Sequence, residues 1–348
     1  MSRERNGSAR VSGQVTRDRR DFLRALLGLG VCACSPEQPQ PAAASAPSPP
    51  APAPPPPPPD PLGPLDELPP ELRPAFALDG HAPPPAGLNM DGEPEQSYPQ
   101  FLAERPPVRE LGAQRVGLLP IGEFPNGFIV EYGAARLVRC PPLSLIARFV
   151  EAWFGLGVDL LPPMPDEQLE TLPVREQQGR RQLDADAVLE WLRTQQSGPD
   201  YLLALTLRDL YTDDSQWVFG YASIGARVGV HSLLRYDPGL EDTDARGPAF
   251  RQRIRDRTLR VLAHEVAHML GLRHCAHFRC IMNPTAGIAD LDALPLHLCP
   301  VCLRKLWRAT GVPLTQRWRK LREMCDELDL RSERDWIDAR LQRMGIVD

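Results

Sequence analysis

Three histidines and one glutamate are the residues of this sequence best placed to do chemistry. The segment His264-Glu265-Val266-Ala267-His268 puts two histidines one helical turn apart on the same face of a helix. Both imidazoles can then bind one Zn²⁺, and Glu265 can reach a water molecule on the metal. Gly271 can end the helix with a positive φ and turn the chain back, so that His274 brings a third nitrogen. Three protein ligands leave the fourth tetrahedral position for water or substrate, as in catalytic zinc sites.

The alternative interpretation is a helix whose histidines only face solvent. At average residue frequencies, H-E-x-x-H alone should arise by chance in about 1% of chains of this length. Requiring the glycine and the third histidine lowers that frequency to on the order of one in 10⁵. The extended motif therefore favours a catalytic metal site.

A second constellation begins directly after His274. The chain continues with Cys275, Cys280, Met282 and the pair Cys299–Cys302. Together with the histidine motif, this pattern resembles the archaemetzincins, a family of metzincin metallopeptidases in which H-E-x-x-H-x-x-G-x-x-H precedes a Met-turn. The strings at 118–122, 217–220 and 299–306 are also similar to that family, and the resemblance extends over roughly residues 113–310.

The resemblance implies a zinc-dependent metallopeptidase with a role for each matching residue. Glu265 would be the general base, and Met282 would form the apolar floor under the metal. Some metzincins carry a tyrosine two residues after that methionine, but Pro284 stands there in this chain, so zinc alone would stabilise the oxyanion. The implied cofactors are two Zn²⁺: a catalytic ion on His264, His268 and His274, and a structural ion on Cys275, Cys280, Cys299 and Cys302.

The four cysteines also support a structural zinc on their own chemistry. Four thiolates fill a zinc tetrahedron, and two close pairs separated by a loop are a common ligand arrangement. Such a site would fix the segment after His274. Two local disulfides or a redox-active Cys299–Cys302 pair are the alternatives, and Cys140 and Cys325, outside the set, are expected to be core residues or disulfide halves.

The remaining histidines near the motif carry no ligand pattern. We expect His277 and His297 to face solvent and His231 to be an ordinary residue at the end of a strand.

The elements that must position these groups follow from hydrophobic periodicity. Short apolar runs predict strands, and spacing of three to four residues predicts helices. Their alternation indicates an α/β fold with parallel neighbours and one antiparallel pairing near the end. With the resemblance, we expect a metzincin-like twisted mixed sheet of about five strands, a long catalytic helix, a small four-cysteine zinc subdomain and C-terminal helices. The predicted strands are 116–121, 158–161, 201–207, 217–221 and 226–231, and the predicted helices are 143–154, 184–192, 249–270, 314–328 and 331–344.

The sequence of the first third of the chain predicts an export signal followed by a linker. Residues 1–35 contain Arg19-Arg20 before a short apolar run, which resembles a twin-arginine signal, and Cys34 is the expected acylated residue of a lipobox. An amphipathic N-terminal helix in a cytoplasmic protein is the alternative. Residues 36–64 hold 15 of the 40 prolines and predict a stiff linker.

Residues 65–112 are expected to be a poorly structured lead-in to a catalytic domain at 113–310, with C-terminal helices at 311–348. This lead-in contains no cysteine, which excludes a cysteine-switch inhibitor there. A carboxylate switch through Asp66, Glu67 or Asp91 is left open.

Composition restricts the function classes further. The net charge of -5 disfavours nucleic acid as a partner, and a hydrophobic content of 42% excludes disorder throughout. We therefore expect a peptide or protein substrate, contact with a membrane only through a lipid anchor, and a monomer. The predicted location is the periplasm or the outer membrane. The alternative function is a non-catalytic cell-envelope binding module stabilised by zinc.

Overall fold

The protein is described by a computed structural model that covers most of residues 60–346. The described ranges are 60–104 without 79, 89 and 91; 114–124; 130–132; 136–138; 140–236 without 178, 196 and 197; and 248–346. The predicted signal, Cys34 and the linker as far as residue 59 lie outside these ranges. All described residues belong to one compact unit, residues 57–348.

The helices are mostly short and amphipathic, and one of them is much longer than the rest. Residues Pro70–Phe76, Asp166–Leu169 and Leu234–Tyr236 form 3₁₀ helices. The α-helices are α1 (Tyr98–Ala103), α2 (Leu143–Phe154), α3 (Ala185–Gln195), α4 (Pro248–Met269), α5 (Ile288–Ala293), α6 (Pro300–Thr310), α7 (Leu314–Glu327) and α8 (Arg331–Arg343).

The strands form one large sheet and two small ones. They are β1 (Arg115–Ile121), β2 (Val130–Tyr132), β3 (Arg136–Val138), β4 (Gly157–Leu160), β5 (Val174–Gln177), β6 (Arg180–Asp184), β7 (Tyr201–Thr206), β8 (Asp209–Tyr211), β9 (Gly220–Ala222) and β10 (Val228–Ser232).

The five-stranded sheet has the order β4-β1-β7-β10-β9. The first four strands are parallel, whereas β9 pairs antiparallel to β10 at the edge. The α/β class, the mixed five-stranded sheet and its antiparallel pairing are therefore confirmed. The central strands β1, β7 and β10 are buried along their length except at Arg115, and they are mostly apolar, because both faces of a parallel sheet are covered.

Each face of this sheet has its own hydrophobic core. Leu203 and Leu205 point into the larger core, which holds α2 and α4, while Leu202 and Ala204 point into a smaller core with α3. This alternation follows from the period of two along a strand. The helix that carries the histidine motif is thus held against the sheet, in contact with β9 and β10.

Two parts of the sheet region differ from the prediction. The strand expected at 217–221 is shorter and begins later, as β9 at Gly220–Ala222. Val218 instead forms an isolated bridge to Leu210. The small sheet β5-β6-β8 is not predicted because its strands are short and polar, without an alternating apolar face. Buried Asp209 stabilises this sheet through hydrogen bonds with Gln182 and Arg235.

The expectation of a poorly structured lead-in at 65–112 is wrong for its described residues. Phe76 and Phe101 are fully buried in the larger core, and Ser97 forms a capping box at the start of α1. Acidic and proline-rich composition suggested loose packing, but a few well-spaced aromatic residues are enough to anchor the segment. We call residues 60–104 the N-terminal segment.

The C-terminal helices α7 and α8 cover the core, as predicted. Trp318, Leu321, Ile337 and Leu341 are buried. Most charged side chains of the two helices are exposed or half-buried, but Arg317 and Arg340 are buried. Within the described ranges, no helix is long and apolar enough to span a membrane.

Candidate functional site

The last turns of α4 present two of the three motif histidines. His264 Nδ1 lies 2.9 Å from the Ile281 carbonyl, and His268 Nδ1 lies 2.7 Å from the Leu272 carbonyl. Because a carbonyl oxygen only accepts, each Nδ1 must donate its proton. The Nε2 atom of each neutral ring then carries a lone pair.

The third histidine arrives on the loop that follows α4. Gly271 has a φ of 95°, a left-handed conformation that turns the chain sharply after Met269. His274 then lies beside the other two histidines. Its Nδ1 is 2.5 Å from Oε2 of Glu93, and its backbone N–H donates to Oε1 of the same residue at 3.4 Å.

The three imidazoles form a group that fits a metal ion. The ligand atoms of His264, His268 and His274 lie within 4.8 Å of one another. The Nε2 atoms of His264 and His268 are 2.9 Å apart, and both carry lone pairs. Burial lowers the pKa of His264 to about 3 and that of His268 well below its ordinary value, so both rings are neutral. Two facing lone pairs repel each other unless a cation lies between them, so this geometry fits a bound zinc.

Glu265 is held beside these histidines in a buried position. Glu265 is only 5% exposed to solvent. Burial raises the pKa of its carboxyl to about 8, because the charged form loses its hydration. The positive charge of a metal ion would act in the opposite direction. With a cation beside it to lower that pKa towards neutrality, the buried carboxyl would be suited to general base chemistry.

Gly220 of β9 leaves the space that Glu265 occupies. A Cβ atom at position 220 would lie 2.5 Å from Oε1 of Glu265 and 2.7 Å from its Cδ. Position 220 therefore requires glycine while the carboxylate keeps its place. The sequence contains Gly220 in one of the strings similar to archaemetzincins, but only the structure shows its contact with Glu265.

The four cysteines form a second cluster, separate from that of the three histidines. Their sulfur atoms lie within 4.8 Å of one another, and all four residues are buried, unbonded thiols. The sulfurs of Cys275 and Cys299 are 3.7 Å apart. Four Zn–S bonds of about 2.3 Å imply S···S edges of about 3.8 Å in a tetrahedron. The arrangement fits a closed zinc site, and the four cysteines form no disulfide.

Asn283, which the sequence did not point to, organises the loop between the two clusters. Its buried side chain accepts a hydrogen bond from the Cys280 N–H at 2.8 Å and donates to the carbonyls of Cys275 and Phe278 at 2.6 and 2.9 Å. Met282 is fully buried, and its carbonyl accepts from the Cys275 N–H at 2.8 Å. Its role as a floor under the metal stays a prediction.

The interpretation of His277 and His297 as solvent-facing is wrong. Their side chains are only 11% and 19% exposed. Nδ1 of His297 is 2.8 Å from a Glu333 carboxylate oxygen, and its ring stacks on Trp336. Neither histidine belongs to the three-histidine cluster.

The residues expected to be unremarkable are buried in the core. His231 is fully buried, with Nε2 2.7 Å from the Tyr236 hydroxyl. Cys140 and Cys325 are buried free thiols, and burial raises the pKa of each to about 12.

Of the carboxylates considered as a switch, Asp91 lies outside the described residues. Glu67 is 67% exposed and lies 4.0 Å from Arg304, while the Asp66 carbonyl accepts a hydrogen bond from Arg73. The carboxylate of the N-terminal segment that contacts a motif histidine is instead that of Glu93, at His274.

Comparison with known sequences gives consistent matches. Peptidase family M54 matches residues 161–308. Archaemetzincin-2 of Homo sapiens is 27% identical over 266 residues, which cover 68% of this chain and 70% of that protein. Archaemetzincin-1 of Mus musculus is 33% identical over 215 residues, which cover 53% of this chain and 42% of that protein.

Solved structures that the chain matches include archaemetzincin from Archaeoglobus fulgidus complexed with malonate. It is 22% identical, with a TM-score of 0.40, over 55% of this chain and 99% of the other. A zinc-dependent peptidase from Methanocorpusculum labreanum is 21% identical, with a TM-score of 0.42, over 55% and 99% of the two chains.

Proposed function

We propose that this chain, which its M54 and archaemetzincin matches indicate to be a zinc metallopeptidase, cleaves peptide bonds with Glu265 as general base. His264, His268 and His274 would hold the catalytic zinc. The observation that carries the proposal is the hydrogen bonding of the two histidines on α4. Each Nδ1 lies within hydrogen-bond distance of a carbonyl oxygen, which leaves two Nε2 atoms 2.9 Å apart, a geometry that a bound cation would stabilise.

The chemistry divides between the metal and one carboxylate. Zinc bound there lowers the pKa of a water ligand and polarises the substrate carbonyl. Glu265 would accept the proton of the attacking water and deliver it to the leaving amine. Burial raises the pKa of its carboxyl, and the charge of the metal would oppose that rise. Because Pro284 stands where some metzincins carry a tyrosine, this chain supplies no phenol at that position to assist the oxyanion.

The substrate would bind as an extended peptide along β9. This strand lies at the edge of the sheet, and its Gly220 lies against the Glu265 side chain. A peptide paired to that edge would have its backbone beside the general base. Such pairing depends on hydrogen bonds to the substrate backbone more than on contacts with its side chains, so it fits a peptide or protein substrate.

A second, structural zinc would bind Cys275, Cys280, Cys299 and Cys302, giving two Zn²⁺ per chain. The buried cluster leaves no sulfur facing solvent, as expected for a closed site. With Met282 as the Met-turn, the mixed sheet and α4 would then form a metzincin-like site.

We further propose export by the twin-arginine route and lipid anchoring at Cys34, in the periplasm or at the outer membrane. This proposal rests on the sequence of residues 1–35. The intact mass of protein extracted from the membrane fraction tests it: an acylated chain beginning at Cys34 is expected, and an unprocessed cytoplasmic chain would contradict it.

The proposed activity is tested by zinc content and by peptide hydrolysis with the full chain. We expect two zinc ions per chain, hydrolysis of a quenched fluorescent peptide library, and loss of hydrolysis in Glu265→Gln with both metals retained. A non-catalytic envelope binding module would instead hold one zinc ion, with equal residual hydrolysis in both proteins. Glu190→Gln, on the exposed face of α3, is the matched control.

A further inference from the structure

One contact at the histidine cluster comes from far outside the motif. Glu93 belongs to the N-terminal segment and lies outside the region that matches family M54, yet its carboxylate is 2.5 Å from Nδ1 of His274. The Glu93 side chain is 25% exposed and that of His274 is 29% exposed, so the pair is largely sheltered from water.

Among the three histidines, His274 alone has a carboxylate as its Nδ1 partner, whereas His264 and His268 use backbone carbonyls. The reason lies in their positions. His264 and His268 project from the rigid α4, but His274 follows the turn at Gly271 and stands on a loop. A loop residue needs an external partner to fix the orientation of its ring.

Further contacts hold the N-terminal segment against this loop. The Gln96 side chain donates to the Gly271 carbonyl at 3.2 Å and accepts from the Arg273 N–H at 3.0 Å. The ammonium of buried Lys305 donates to the Gln96 carbonyl. The N-terminal segment that carries Glu93 is therefore itself held by hydrogen bonds on both sides of the turn at Gly271.

We propose that Glu93 is a positioning residue for the third zinc ligand, so that the N-terminal segment is a permanent part of the catalytic site. The proposal rests on the proposed function above. A carboxylate on Nδ1 fixes the tautomer with Nε2 free for the metal, and its negative charge strengthens the imidazole as a ligand. Outer partners of this kind typically change metal affinity about 10- to 100-fold.

The same geometry disfavours an inhibitory pro-segment. An inhibitory carboxylate would bind the metal in place of water, on the side where the Nε2 atoms converge. Glu93 lies at the opposite nitrogen of the His274 ring. Removing its charge should therefore weaken metal binding and not release activity.

The test compares full-length wild-type protein with Glu93→Gln and with Glu71→Gln, an exposed glutamate of the same segment. Zinc is withdrawn with a graded series of chelators, and the metal remaining is counted. We expect one of two zinc ions to bind about 10- to 100-fold more weakly in Glu93→Gln, with the other unchanged. Glu71→Gln should match the wild type. Equal retention in all three proteins, or higher peptidase activity in Glu93→Gln, would overturn the inference.

Two further measurements separate the possible failures. If the wild-type protein holds only the thiolate-bound zinc, the proposed function itself fails. If Glu93→Gln also loses the thiolate-bound zinc through misfolding, the zinc affinity of Glu93→Asp is measured in its place as the test of the positioning role. This variant keeps the negative charge on a shorter side chain. An affinity between those of wild type and Glu93→Gln supports the positioning role, and an affinity as weak as that of Glu93→Gln contradicts it.

Discussion

The side chain of Glu265 fills space that any residue larger than glycine would need at position 220. In Gly220→Ala, the new Cβ would meet the end of the Glu265 side chain, which can move, and not the backbone. We therefore expect a folded protein with a displaced carboxylate. A displacement of about 1 Å at a catalytic group costs on the order of 100-fold in rate. Peptide hydrolysis should fall by roughly that factor with zinc content unchanged.

The matched control is Gly225→Ala, whose added Cβ has no atom within 4 Å. This variant should keep wild-type activity. Wild-type hydrolysis by Gly220→Ala would mean that Glu265 does not act from its observed position.

The buried His231 makes stability depend on pH. Burial lowers its pKa to about 3, while an exposed histidine in the unfolded chain titrates near its ordinary value of 6.5. Between these values the unfolded chain binds a proton that the folded chain does not. Stability contributed by neutral His231 is therefore present above pH 6.5 and is lost on acidification, by at most about 1.4 kcal/mol per pH unit.

Replacing this histidine should flatten that dependence. His231→Gln keeps a hydrogen-bonding group for Tyr236 but does not titrate. Denaturant unfolding of both proteins between pH 7.5 and 5.5 measures the difference, and metal loss at low pH affects both alike. We expect the wild type to lose more stability on acidification, and parallel curves would contradict the prediction.

At the residue scale, the site was predictable where its chemistry is local in sequence. His264 and His268 lie one helical turn apart, so helix geometry alone puts them on one face, and Glu265 is next to His264 in the sequence. Glu93 and Gly220 reach the same site through tertiary packing, and no local period connects them to the motif. The sequence signal for Gly220 was its place in a family-like string, and Glu93 had none.

At the scale of elements, α6 joins the four-cysteine cluster to the N-terminal segment. It carries Cys302 in the four-cysteine cluster, and Cys325 on α7 is a comparable buried thiol outside it. Cys302→Ala should lose about one zinc ion per chain and much of its stability, because structural zinc sites supply a large part of the folding free energy. Cys325→Ala should keep both ions and lose only about 0.8 kcal/mol, the value of one buried methylene-sized group.

Metal analysis and thermal unfolding of both variants check this prediction. Equal zinc content in Cys302→Ala and wild type would show that the cysteine cluster is not a metal site. A loss of zinc in Cys325→Ala would mean that general core damage, and not ligand loss, releases the metal.

The elements also differ in how well the sequence predicted them. The buried strands β1 and β7 are continuous apolar runs, and α2 has the predicted bounds of 143–154 because its apolar residues recur at helical spacing. The strands β5, β6 and β8 escaped prediction because hydrogen bonds among Gln182, Asp209 and Arg235 stabilise their sheet, and such partners leave no periodic signal.

At the scale of the whole molecule, the N-terminal segment packs into the larger core and also contacts the histidine cluster. Arg304 is 1% exposed, donates to the carbonyls of Leu62 and Pro64, and lies 3.9 Å over the centre of the Tyr98 ring. Phe76 and Phe101 add two fully buried aromatic side chains. The buried charge of Arg304 thus has its partners in a part of the chain that lies outside the match to family M54.

Truncation at two points tests whether this segment is integral. A chain of residues 57–348 keeps the whole compact unit and should retain the stability and zinc content of the full protein. A chain of residues 105–348 loses Phe76, Phe101 and the acceptors of Arg304. Burial of each phenylalanine contributes about 1.5–3 kcal/mol, so we expect a loss of at least ~3 kcal/mol in the free energy of unfolding.

The shorter chain should also lose the zinc of the histidine site first, because it lacks Glu93. Equal stability and hydrolysis by both truncated chains would show that the segment is dispensable, whereas higher hydrolysis by the shorter chain would identify it as an inhibitory pro-segment.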